Sequence, residues 1–271
     1  MTSSFISSVS DNKVLLEHDG ARYICIHDIP FQFPHQSLPE AERLQHTDMI
    51  DFQDRISMVV RAQMKQVGVV LPFKSSRYRL EISITTSRDL QEIPLCETMK
   101  SIMDGINGEV IPNDADIYEC TIKYQQQHRL SRHPKGRADD VIDLVIIDLS
   151  TGQLLVNIAD LNTYIVPKKS AILLNRHEDE LWNLHYEFYY VDVWDALNRD
   201  QFRLPNANSY NVRMDFCGSI HTKDLDNMAR CYLPLLYETK NIREDNIVML
   251  ELYKEVNTSN SDYVKISVTC N

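Results

Sequence analysis

Asp224, Asp226 and Asn227 fall where an apolar, strand-like run gives way to a helical one, within residues 221–230. In extended backbone, positions i and i+2 point the same way, so the two carboxylates can face one cation. About one helix later, Arg243, Glu244, Asp245 and Asn246 open another strand-like run. If both strands belong to one sheet, three or four carboxylates converge at one of its ends. That oxygen-rich set suits Mg²⁺ and is what metal-assisted phosphodiester chemistry needs. Lys223, Arg230 and Lys254 supply positive charge able to hold a scissile phosphate or stabilise developing charge. The plainer account is structural. Asp224, Asp226 or Asn227 caps the following helix, whose first N–H groups lack partners, and the basic residues make surface ion pairs. The Glu244–Asp245 pair at the head of the next strand tips the reading toward a metal.

The elements that must position these groups can be read from periodicity. Residues 23–27 form a short strand, after a polar lead-in over 1–20. Residues 48–67 carry helical spacing, with Ile50, Ile56, Val59, Val60 and Met64 on one face and Gly68 as the stop. Residues 78–85 alternate with period two, 97–106 read as a helix, and 117–123 alternate again. A hydrophilic stretch, 128–140, contains Pro134 and Gly136 and reads as a linker. Beyond it come strands at 141–148 and 154–158, then a long aromatic helix over 181–197 whose rings suit packing better than base stacking. A strand at 211–217, a helix at 225–236 and strands at 247–256 and 263–269 close the chain. Asp139, Asp140 and Asp143 read as a solvated loop edge.

The two halves share residues as well as order. Residues 94–104 lie on 224–234 without a gap, and Ile117 falls on Ile247 at the same offset of 130 residues. Leu95 meets Leu225, Lys100 meets Arg230, Met103 meets Leu233 and Asp114 meets Glu244. Two similar modules packed as a covalent pseudo-dimer would produce this pattern.

Composition sets the bounds. The 271 residues suffice for one large domain or two small ones, and a hydrophobic content of 43% supports a real core. A net charge of −11 argues against wholesale nucleic-acid binding, which runs on Lys and Arg neutralising phosphates. A local basic groove stays open: residues 124–138 contain no acid but hold Arg129, Arg132, Lys135 and Arg137, which form either a solvated linker or an arm tracking a DNA strand. No apolar run approaches a membrane span, and the first residues do not resemble a secretory signal, so a cytoplasmic protein is expected. The six cysteines form no CxxC pair, which makes a zinc site improbable and free thiols the default. Neither paired-histidine zinc spacing nor a phosphate loop is present, and no serine sits in a nucleophile-elbow context.

The second half resembles the RusA-type Holliday-junction resolvase family. The resemblance rests on Lys223, Asp224, Leu225, Asp226 and Asn227, a basic residue one turn on (Arg230, where lysine is usual), Glu244–Asp245, and a strand ending at Lys254. The first half is similar through Lys100, Asp104, Asn107, Gly108, Asn113 and Asp114, with Pro94, Leu95, Cys96 and Glu97 replacing the acidic run. It implies an α+β fold of two RusA-like modules, each a small mixed sheet with helices packed on it. The modules span 1–130 (degenerate) and 141–271 (acidic), joined by a linker over 131–140. It also implies a Mg²⁺-dependent endonuclease for branched DNA, with Mn²⁺ able to substitute, acting as a homodimer or an intramolecular pseudo-dimer. By position, Asp224 and Asp226 become metal ligands. The third acid is Glu244 by gapless alignment or Asp245 by residue type, and Arg230 joins the catalytic set. Lys223, Lys254, Lys100, Arg129, Arg132, Lys135 and Arg137 become DNA contacts. The lost acids of the first half and the arginine at 230 leave two other readings: a catalytically inactive DNA-binding module on the same fold, or an acidic protein-interaction factor.

Overall fold

A computed structural model describes residues 13–18, 21–27, 47–127, 140–167, 204, 206–240, 242–257 and 263–270. Strand β3 (Tyr78–Thr86) shows how the sequence makes the fold. Tyr78, Leu80, Ile82 and Ile84 are buried, while Arg79, Glu81, Ser83 and Thr85 point the other way. The alternation that predicts a half-buried strand thus places one face against a core. The other strands are β1 (Lys13–His18), β2 (Ala21–His27), β4 (Ile117–Gln126), β5 (Asp140–Asp148), β6 (Gln153–Thr163), β7 (Tyr210–Gly218), β8 (Ile247–Val256) and β9 (Tyr263–Cys270). All nine join one mixed sheet in the order β1-β2-β9-β7-β8-β4-β3-β5-β6. The fold is α+β, and a single continuous sheet replaces the two small sheets expected from sequence.

Three α-helices are described: α1 (Thr47–Gln66), α2 (Leu95–Ile106) and α3 (Leu225–Lys240). Helix α2 packs against both α1 and α3 and against the sheet. Ten of its twelve residues are therefore buried, Lys100 among them. Gly105 permits the approach of α1: a Cβ there would lie 2.9 Å from the Gln53 carbonyl oxygen. None of the described helices is long and apolar enough to cross a membrane.

The sheet is organised about its middle. Strands β3 and β4 pair in parallel, as do β7 and β8, and each pair carries a register shift at its first residue, between Tyr78 and Arg79 and between Tyr210 and Asn211. Strands β4 and β8 meet antiparallel, with Thr121 opposite Glu251. These two residues are themselves 130 apart. Backbone hydrogen bonds recur at the same spacing. The Ile93 N–H donates to Leu90 O (3.2 Å) as Lys223 does to Ile220 (3.0 Å), and Thr98 donates to Pro94 (2.9 Å) as Met228 does to Asp224 (3.1 Å). Two short 3-10 turns, Asp114–Asp116 and Glu244–Asn246, also correspond.

Several local expectations need correction. Part of the supposed lead-in is strand β1, paired with β2. On α1, Ile50 is exposed, and the buried face is Met49, Phe52, Ile56, Val60 and Met64. Strands β5 and β6 follow the 131–140 linker in sequence, yet β5 pairs with β3, so no break in the sheet falls at that boundary. Asp140 is no solvated loop edge. It is fully buried, accepting hydrogen bonds from Thr86 Oγ1, Arg88 Nη1 (2.8 Å) and the Ile165 N–H (2.7 Å). The aromatic helix expected over 181–197 lies outside the described residues, as do Arg129, Arg132, Lys135 and Arg137.

Candidate functional site

Strand β7 ends at Gly218, and a short turn delivers Asp224 to the head of α3. There its carbonyl accepts the first helical hydrogen bond, from Met228, and its carboxylate accepts one from Asn227 Nδ2 at 2.7 Å. Part of the plain capping account is therefore correct. Asp226 is different. It sits in the first turn of α3 with no exposed surface. Among the described residues its charge partner is the Lys100 ammonium of α2, 2.7 Å from Oδ2, while Oδ1 accepts no hydrogen bond. Lys100 also lies 3.4 Å from Asp104 Oδ1, one turn along its own helix. Burial alone would pull the Lys100 pKa down, but the charges of Asp226 and Asp104 outweigh it and raise the value.

The third acid does not come from where the sequence pointed. Asp114, in the turn that opens β4, interacts electrostatically with Asp224 and Asp226. Its backbone N–H is held by Asn107 Oδ1 at 3.2 Å, and Asn113 Oδ1 braces the same turn through the Ala115 N–H at 3.0 Å. Burial, then the charges of Asp224 and Asp226, push the Asp114 carboxyl up to about 6, with Lys100 opposing. Asp224 is raised as well, by burial and by Asp226, against the pull of Lys100, Asn227 and Lys254. Asp114 and Asp224 therefore each lie within electrostatic reach of Asp226.

Lys254, near the end of β8, ties this cluster together. Its ammonium donates to the carbonyl of Ala115, beside Asp114, and to that of Lys223, beside Asp224 (3.0 Å). It also lies 4.5 Å from the centroid of the Tyr118 ring. Burial lowers its pKa to about 8 despite the neighbouring aspartates. A side chain only 5% exposed and engaged in this way is not a free DNA contact, which corrects the expectation for Lys254. Lys100, also buried, is corrected likewise. Lys223 is half-buried and contributes its carbonyl to the clamp.

Glu244 and Asp245 have different immediate partners. Burial, a hydrogen bond to Glu97 and that residue's charge raise Glu244 to about 8. Asp245 is held by Gln91 Nε2 at 2.6 Å and by Arg243; these contacts outweigh burial and lower its pKa. Neither acid counts Asp224 or Asp226 among the charges that shift it. Arg230 is buried near Cys96, and its Nε and Nη2 find no acceptor among the described residues. The charged neighbours of Asp224 and Asp226 are thus Asp114, Asp104 and Lys100, with Arg230 acting on Lys100 as well; Glu244 and Asp226 both act on the intervening Cys96. The signal that could have found these neighbours was present: Lys100, Asp104 and Asp114 are the residues the first half retains where it lacks the acidic run.

Among the described residues no three His, Cys, Asp or Glu side chains are arranged as a ready-made metal cage. The buried Asp226 Oδ1, which accepts no hydrogen bond among the described residues while Oδ2 faces the Lys100 ammonium, is an oxygen of the kind a hard cation takes. Comparison with protein-family models, curated proteins and solved structures finds no match for this chain.

Proposed function

We propose that this chain is a tandem pair of RusA-like modules folded as a pseudo-dimer, acting as a Mg²⁺-dependent, structure-specific endonuclease on branched DNA. One observation carries the reading: the acidic run of the second half meets Asp114 and Lys100 of the first. In this reading two half-sets form one acidic centre, and the antiparallel pairing of β4 and β8 at the middle of the sheet supports it. The repeated backbone hydrogen bonds, the matched register shifts and the self-opposed Thr121–Glu251 pair support the duplication.

In this reading Asp114, Asp224 and Asp226 hold the cation. When bound, Mg²⁺ polarises the phosphate and lowers the pKa of the attacking water. Lys100 orients Asp226 and offsets part of the negative charge against which a phosphate must approach. Asn227 fixes Asp224 by its hydrogen bond. Lys254 is a positioning residue that keeps the two acid-bearing turns together. The test is cleavage of a synthetic four-way junction with Mg²⁺ or Mn²⁺, by wild type and by Asp226→Asn. Metal-dependent cleavage lost in the variant is expected. Well-folded wild type that cuts no branched, flapped or single-stranded DNA would overturn the reading.

A second reading has its own support. The Lys100 ammonium neutralises Asp226 without any metal, and this is also how a catalytically inactive DNA-binding module would satisfy a relic acid. Salt-sensitive junction binding with no turnover would select it.

A further inference from the structure

The centre of the sheet relates every residue of the acidic site to a counterpart 130 positions away, and the counterparts have different chemistry. Where Asp224 and Asp226 stand in one position, Pro94 and Cys96 stand in the other. Asp114 corresponds to Glu244 and Lys100 to Arg230. The Lys100 partner Asp104 corresponds to Pro234, inside α3. The consequences are visible. Lys100 has carboxylates on Asp226 and Asp104. Arg230, whose counterpart partners are a thiol and a proline, buries Nε and Nη2 without acceptors among the described residues. Glu244 has Glu97 as its neighbouring carboxyl instead. Cys96 is buried. A thiol and a proline offer a hard cation no oxygen.

We infer that this chain holds one competent cleavage centre rather than two, and that a single chain nicks one strand of a branched DNA per encounter instead of cutting two. The inference rests on the endonuclease reading and specifies its product. The step is hydrolytic: the oxygen of water bonds to phosphorus as the phosphorus–oxygen bond to one sugar breaks. One proton of the water ends on the departing sugar oxygen and the other passes to solvent. A phosphodiester becomes a phosphomonoester and a hydroxyl, and nothing is oxidised or reduced.

A negatively supercoiled plasmid with an inverted repeat that extrudes as a cruciform separates the outcomes. One nick releases the supercoiling, the cruciform is reabsorbed, and the second strand loses its branched geometry. With one chain per plasmid and Mg²⁺, nicked circles are expected as the stable product. Linear plasmid formed in the first turnover would overturn the inference and leave the endonuclease reading standing. No cleavage at all would overturn both.

A binding measurement gives a readout independent of turnover. Calorimetric titration of the full chain with Mn²⁺ is expected to find one ion per chain. That ion should be lost in Asp226→Asn and retained with unchanged affinity in Glu244→Gln. Two ions per chain, or loss of the ion in Glu244→Gln, would overturn the single-centre assignment.

Discussion

Replacing Asp114 by asparagine should make the protein more stable and inactive at once. In the folded chain Asp114 keeps its proton up to about pH 6, whereas its ordinary value is 3.8. Between those values the folded state binds more protons than the unfolded one, so Asp114 makes stability fall as pH rises through the window. Below the ordinary value the carboxyl is neutral in both states and costs nothing. Above about pH 6 the whole penalty is present. A separation of about two pKa units corresponds to roughly 3 kcal/mol at 1.36 kcal/mol per unit, and at pH 5 about half of that remains. Asparagine keeps the shape and the backbone hydrogen bond to Asn107 but carries no charge to repel Asp224 and Asp226. Asp114→Asn should therefore gain about 3 kcal/mol over wild type at pH 8, roughly 6 °C or more in Tm, shrinking to about half at pH 5. Urea denaturation at both pH values measures this. Repeating it with Mg²⁺ should narrow the gap at pH 8, since an ion that binds only the folded wild type stabilises it by mass action. A variant less stable than wild type at pH 8, or a gap independent of pH, would refute the claim that three carboxylates are crowded at this position.

Three further outcomes follow from the same geometry. Asp226→Asn leaves the Lys100 ammonium buried beside a neutral amide and should cost roughly 3–5 kcal/mol, whereas Lys100→Met with Asp226→Leu should recover most of that in urea melts without restoring any cleavage; equal losses in both would show that the ion pair is not the cause. Lys254→Met removes the donor to the Ala115 and Lys223 carbonyls and should cost about 3 kcal/mol, given roughly 1.5–3 kcal/mol for each hydrogen bond to a charged group; Lys254→Arg should not rescue it, because a planar fork cannot replace a compact ammonium, and full stability in the arginine variant would count against the clamp. Gly105→Ala should lower stability by about 1–3 kcal/mol through overpacking against Gln53, and an unchanged Tm would mean that α1 yields at no cost.

The sequence alone carried most of the strands, the helix starts and the spacing of the repeat, because these are short-range matters; β1, inside the polar lead-in, escaped it. Alternation of apolar residues placed β3, β4, β7 and β8, and the shared offset of 130 residues aligned α2 with α3 and one 3-10 turn with the other. It also placed Asp224 and Asp226 at the head of α3 and aligned Asp114 with Glu244. Partnership was beyond it. Nearness along the chain suggested that Glu244 or Asp245 completes the set, but the antiparallel β4–β8 pairing places each half's late turn beside the other half's helix. The same holds for burial. Lys100, Arg230 and Lys254 read as surface charges, since lysine and arginine are rarely buried. They are inside because α2 is enclosed by α1, α3 and the sheet, and because Lys254 reaches two carbonyls that only the assembled chain brings within one hydrogen-bonding distance.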